Sequence, residues 1–438
     1  MNHRPPDTGT PATVRRRPST STAASRPAGP RAGGAAGPAR RAQRAALGTP
    51  ADIASAAGQP DPASGEIRRR DRRREALAAR RRLWDLSRLP RVRDCGRITR
   101  TGVGGPVVRI TGDEGHGRRA GLAGLVSCGS SWSCPVCSRK IAAERSAELR
   151  AVLAAVAARG GSVQLLTFTM RHRAGQSLVE LWTALSAAWR TVTSGRAVDR
   201  ERTTFGVLGM VRVVEVTHGE HGWHVHVHAL VAFDGPVSSD LARELGGAMF
   251  GRWERALVRR GLAAPIEDRG GFDVRAVDLG TGSIDAVADY LGKITAEITG
   301  ASGKDGRRGN RSPFAILRDA LATGLADDVE LWWQWEAASK GRKQVAWSRG
   351  FREWAGVGVE RTDEEIAEDD LGGEDVLAID AQDWPSVRAH VAELLDVAET
   401  GGVAGAHEWL RRRGIRCHRV GSPQSFQSHE KPPILTGR

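Results

Sequence analysis

The chain predicts an α+β fold centred on an antiparallel sheet. Apolar residues switch repeatedly between period two and period 3.6, and two strand patterns adjoin across a link of hairpin length. Strand patterns lie at 163–172 (VQLLTFTMRH), 207–217 (VLGMVRVVEVT), 223–233 (WHVHVHALVAF) and 272–279 (FDVRAVDL). Helical spacing lies between and after them at 177–194, at about 238–261 and at 283–299. The order β, α, β, β, α, β, α is that of the split βαβ, ferredoxin-like plan, a four-stranded antiparallel sheet with helices on one face.

The flanks read differently. Residues 1–89 are Pro, Gly, Ala, Ser and Arg with almost no apolar periodicity, a composition that buries too little surface to order itself, so a disordered basic arm is expected. Within it RRRDRRREALAARRRLW, from Arg68 to Trp84, reads either as a basic helix or as a solvated charge run. Residues 90–145 are Gly-rich and hold four of the five cysteines, and a helix at 140–160 stops at paired glycines. The main domain spans 146–355. In ELWWQWEAAS, Trp332, Trp333 and Trp335 at helical spacing read as core before they read as a base-stacking platform. An acidic run, VERTDEEIAEDDLGGED, then reads as a solvated linker to two last helices and a tail, which completes a C-terminal segment at 356–438.

Charge narrows the partner. Over 438 residues the formal net charge is +14, which favours a polyanion, with nucleic acid the default, because each Lys or Arg near a phosphate releases condensed counterion. There is no apolar run of about 18 residues and no positively flanked apolar N-terminus, so neither a membrane partner nor secretion is expected and the compartment should be cytoplasmic. Five cysteines in so long a chain make no disulfide framework, so their spacing is read for metal.

Strict alternation in GWHVHVHALV puts His224, His226 and His228 on one face of a strand. Neutral imidazoles left without partners there would cost about 1–3 kcal/mol each, and i, i+2 spacing converges two rings on one point, so a divalent metal is the natural occupant. Glu215, on the preceding strand, can add a carboxylate across the ladder; His218 and His221 in the link are its rivals. Cys128, Cys134 and Cys137 in SCGSSWSCPVC, with Cys95 upstream, suit a four-thiolate structural Zn2+ site, with His116 as a competing fourth ligand and Cys417 a bystander. In IDAVADYLGKI, the stripe Ile284, Val287, Ala288, Leu291 and Ile294 leaves Tyr290 and Lys293 together on one flank. Tyr290 is the chain's sole tyrosine, and Lys293 beside it would favour its phenolate.

Together these motifs resemble the replication initiator proteins of rolling-circle plasmids, in the form typical of actinomycete plasmids. The resemblance runs from about Cys95 to Trp354: LLTFTMRH is similar to the first motif, GWHVHVHALV to the histidine-hydrophobe-histidine motif, ADYLGK to the tyrosine motif, and CGSSWSCPVC upstream also fits. It implies that His226 and His228 hold Mg2+ or Mn2+ with His224 as a helper. It further implies that Tyr290 attacks the scissile phosphate at the plasmid double-strand origin, forming a 5′-phosphotyrosyl bond and releasing a 3′-OH that primes synthesis with a host helicase. Some members carry a carboxylate one helical turn before the tyrosine, where this chain has Ala286 flanked by Asp285 and Asp289. A single-tyrosine transposase and a non-catalytic, zinc-stabilised DNA-binding regulator are the alternatives.

Overall fold

The computed structural model describes residues 62–113, 117–280, 284–285, 309–369 and 372–420. Tyr290, Lys293, Ala286, Asp289 and His116 lie outside the described residues. The chain begins with α1 (Pro62–Leu86) and α2 (Pro90–Asp94), then β1 (Val107–Thr111), β2 (Arg119–Ala123) and α3 (Pro135–Ala158). The predicted core follows as β3 (Ser162–Thr169), α4 (Leu178–Thr193), α5 (Arg196–Thr204), β4 (Val207–Gly219), β5 (Gly222–Phe233), α6 (Ser239–Val258) and β6 (Phe272–Val277). After it come α7 (Pro313–Thr323), α8 (Ala326–Ser339), β7 (Val345–Trp347), α9 (Phe351–Trp354) and α10 (Asp363–Glu368). The C-terminal part holds β8 (Glu374–Ile379), α11 (Trp384–Val387), α12 (Val391–Arg412) and β9 (Cys417–Arg419).

The main sheet runs β6-β3-β5-β4-β7 with every pair antiparallel. Its first four strands stand in the ferredoxin-like order, and β7 extends the edge beside β4. The β4–β5 hairpin pairs out to Gly219↔Gly222, and the positive φ of 84° at Gly222 is what lets so short a link close. Odd-numbered residues of β5, among them Val225, Val227, Val231 and Phe233, share one core with Phe168, with Leu181 and Trp182 of α4 and with Trp253 of α6. Ser238 starts α6 by accepting the backbone N–H of Leu241.

The opposite face is not bare. Even-numbered Leu230 and Ala232 of β5 pack with Leu149, Val152, Leu153 and Val156 of α3, so the sheet carries helical cover on both faces rather than one. Ile284, where the tyrosine-bearing helix is expected to begin, packs against the same cluster, and Asp285 pairs with Arg150 of α3 at 3.3 Å. His224, His226 and His228 continue this second face beyond the end of the apolar patch.

Two flanking segments depart from the sequence reading. The arm expected to be disordered through residue 89 is ordered from Pro62, and its basic stretch takes the helical one of its two readings as part of α1: Leu83 and Trp84 are buried, and Arg69, Arg70, Arg73 and Arg74 pair with Glu399 or Asp396 of α12. Helical spacing brings those cations to one side, where a buried carboxylate, Glu399, neutralises them. The acidic run is not a solvated linker: Thr362 and Glu365 form a reciprocal capping box on α10, which buries Ile366 and Ala367, and the run's end enters β8. Strand β8 pairs with β1 from the cysteine-rich segment in a second sheet, β2-β1-β8-β9, so the two flanks fold together. Trp332 and Trp335 are fully buried, as core residues should be.

Candidate metal centres

Register decides which carboxylate meets the histidines. Glu215 lies directly across the β4–β5 ladder from His226, and one of its oxygens stands 2.9 Å from Nε2 of His226 and 3.0 Å from Nε2 of His228. An octahedral ion with bonds of about 2.1 Å separates adjacent donors by about 3.0 Å, so this donor set fits a small divalent cation. His228 is 1% exposed, and Glu215 and His226 are part-buried. Burial alone would raise the Glu215 carboxyl, but the charge and hydrogen bonds of His226, and then of His228, outweigh it and hold it well below the usual carboxylate range. Burial pushes His228 down, which favours the neutral imidazole and leaves Nε2 available as a ligand.

Strand β3 supplies what sequence reasoning passed over. Thr167, paired with His228 across the β3–β5 ladder, has its hydroxyl 3.1 Å from Nδ1 of that ring. A hydroxyl can donate or accept, so it fixes the ring whichever tautomer is present and leaves Nε2 aimed at Glu215. His172, just beyond β3, brings its Nδ1 to 3.4 Å from Nδ1 of His224, with the rings tilted at 59°. Desolvation, with the nearby His226 and His172 adding to it, lowers His224 to about 3. His224 therefore flanks the site without joining the Glu215–His226–His228 cluster. Both Thr167 and His172 sit in LLTFTMRH; the motif was visible, but nothing in it marked which residues would face the histidines.

The rivals fall away. His218 lies on the other face, edge-on to Trp223 at 4.8 Å between ring centroids, and His221 is not part of the cluster. The orphaned Nδ1 of His226 is the one buried polar atom of the cluster with no hydrogen-bond partner.

The second centre is Cys95, Cys128, Cys134 and Cys137, all buried. Sulfur separations are 3.6 Å for Cys95–Cys134 and Cys95–Cys137 and 3.7 Å for Cys128–Cys137. Tetrahedral Zn–S bonds of about 2.3 Å place sulfurs about 3.8 Å apart, so these three separations are of the size a tetrahedral thiolate site would have. Cys134 is the N-cap of α3, Pro135 follows at a position that needs no N–H, and Cys137 lies in the first turn. Close contact with Cys128 and then with the other thiols holds Cys95 well below the ordinary thiol value, while contact with Cys134 helps push Cys128 well above it. Trp132, inside the knuckle, packs edge-on to Trp182 and Trp335 and donates its indole N–H to Arg342 at 2.6 Å, tying the cysteines to the helical side of the main sheet.

A ferredoxin-like sheet thus carries a Glu–His–His cluster that could hold a cation, beside a buried four-cysteine cluster that could hold a second metal, in a strongly basic chain. Residues 122–237 match the family described as Replication protein, Rep_1. The chain is 30% identical over 378 residues to the "Protein rep" of Streptomyces lividans, covering 72% of this chain and 79% of that protein. It is also 30% identical over 217 residues to a "Neomycin resistance protein" of Streptomyces cyanogenus, 42% of this chain and 48% of that one. No solved structure matches. The chain belongs to the Rep family of plasmid replication initiators, in the rolling-circle form of actinomycete plasmids. Among the described residues no helix is long and apolar enough to cross a membrane.

Proposed function

We propose that this initiator nicks one DNA strand at the plasmid double-strand origin, using the Glu215–His226–His228 site and Tyr290. The observation that carries the reading is the convergence of two imidazoles and one carboxylate on a single point of the main sheet. A divalent ion such as Mg2+ or Mn2+ held there supplies Lewis-acid polarisation of a non-bridging phosphate oxygen. The phenolic oxygen of Tyr290 forms a bond to phosphorus while the bond from phosphorus to the 3′-oxygen breaks, leaving a 5′-phosphotyrosyl link and a 3′-OH. Lys293, one turn further along the predicted helix, favours the phenolate. Support for bringing that helix to the metal comes from its first residues: Ile284 and Asp285 contact α3 on the histidine face. Zn2+ on the four cysteines serves as a structural staple.

The test mixes the full-length protein with a single-stranded oligonucleotide spanning the origin and Mg2+ or Mn2+, followed by denaturing electrophoresis. Wild type should give a denaturation-resistant adduct, and Tyr290→Phe should give none. A wild type that binds the DNA without forming adduct, or an adduct formed by Tyr290→Phe, would overturn the mechanism.

A further inference from the structure

A cavity of about 650 Å³ opens between α1 and the C-terminal helices α11 and α12. Its wall includes Arg74, Arg80, Arg81, Arg82, Arg97 and Arg388, with Asp85 the single carboxylate among its lining residues. Arg74 is already paired with Asp396 and Asp71. Among the described residues the other five make no ion pair. Arg80 is 8% exposed, and its Nε is buried with no hydrogen-bond partner. Arg388 lies over the ring of Trp84, another lining residue, at 5.4 Å, so the aromatic floor is capped by a cation instead of being open to a base.

Like charges gathered in one recess repel, so a polyanion that fills it is bound favourably; the charge of Arg80 acts in part on the neighbouring Cys95, while Arg81 and Arg82 are exposed. Here α1 brings three consecutive arginines, Arg80 to Arg82, the cysteine segment adds Arg97, and α11 ends at Arg388. Three separate stretches of chain thus converge on one electropositive hollow. Its volume admits more than a lone phosphate, and guanidinium groups offer the forked donors that phosphate oxygens take. The hollow lies against the second sheet's helices, whereas the histidines lie on the main sheet.

We propose that this hollow grips the phosphodiester backbone of double-stranded DNA, anchoring the duplex while the histidine face acts on one strand. The capped indole and the absence of an open aromatic face in the lining favour a duplex backbone over unstacked bases. The proposal rests on this initiator's working on DNA and does not need the nicking chemistry to be right.

The full-length protein carrying Arg81→Gln, Arg82→Gln and Arg97→Gln together is titrated into a fluorescein-labelled duplex of arbitrary sequence over a range of salt. Backbone contacts predict that the slope of log affinity against log salt falls by about two to three, and that affinity drops about 10- to 100-fold regardless of sequence. The triple Arg→Lys variant, which keeps the charge, should retain most of the wild-type slope. Circular dichroism and the melting temperature confirm that each variant is folded. An unchanged slope in the folded Gln variant overturns the proposal. So does an equal loss when the exposed Arg243, Arg259 and Arg260 are neutralised instead, or a hollow that binds inorganic polyphosphate but contributes nothing to duplex affinity. Adduct formation is scored separately on single-stranded DNA, so either reading can fail alone.

Discussion

Replacing Thr167 by Val tests the metal site through a residue that is not a ligand. The hydroxyl stands 3.1 Å from Nδ1 of His228, whose ring is 1% exposed and reaches Glu215 through Nε2 at 3.0 Å. Val keeps nearly the same shape and removes that bond, so the ring loses one of the contacts that fix its tautomer and tilt. Loss of such an outer contact costs roughly 10- to 100-fold in metal affinity, or about 1.4 to 2.7 kcal/mol. The net stability of the metal-free fold should fall by only about 1 kcal/mol. Calorimetric titration of full-length protein with Mn2+ measures the first quantity and urea unfolding the second. Thr167→Ser should recover most of the affinity. A Thr167→Val protein that binds Mn2+ within about twofold of wild type would refute the reasoning, because the hydroxyl would then do no positioning.

Three further outcomes follow from the same geometry. Cys137→Ser opens the thiolate site, so bound zinc measured by mass spectrometry should fall from about one equivalent to near none, with a lowered melting temperature. Trp335→Ala empties a fully buried position between Trp132 and Trp182 and should cost about 3–5 kcal/mol in denaturant unfolding. In metal-free buffer, stability should fall as pH drops below about 6.5, by up to about 1.4 kcal/mol per pH unit for each imidazole, because the unfolded chain takes up protons that His224 and His228 resist. For His224 the loss continues down to about 3. Glu215, whose value is depressed, adds its own loss below the ordinary carboxylate range, so His224→Gln should flatten the upper part of the curve first.

Much of the site was legible because its signals are local. Alternation along a strand is fixed by backbone geometry, so three histidines at every second residue had to share a face. A cysteine pair with two residues between them, and more thiols nearby, restricts its own chemistry in the same way. The helix order likewise gave the main sheet's topology, since short connections leave few arrangements open. The basic helix α1 was harder to read. Its arginines gave no apolar stripe, and what holds it, Glu399 and Asp396, comes more than three hundred residues later.

The sequence by itself determined that His224, His226 and His228 form a row, that Glu215 stands on the neighbouring strand, and that four cysteines have metal spacing. Only the tertiary structure decided that Glu215, rather than His218 or His221, stands against His226 and His228. That choice depends on the register Glu215↔His226 and on which face of β4 points to the histidines. It also decided that Thr167 and His172 attend the row, since β3 must first lie beside β5, and that β1 pairs with β8. The physical reason is common to all of these: side-chain period follows from the backbone of one segment, whereas cross-strand neighbours are chosen by the burial of surfaces that meet only when distant segments pack.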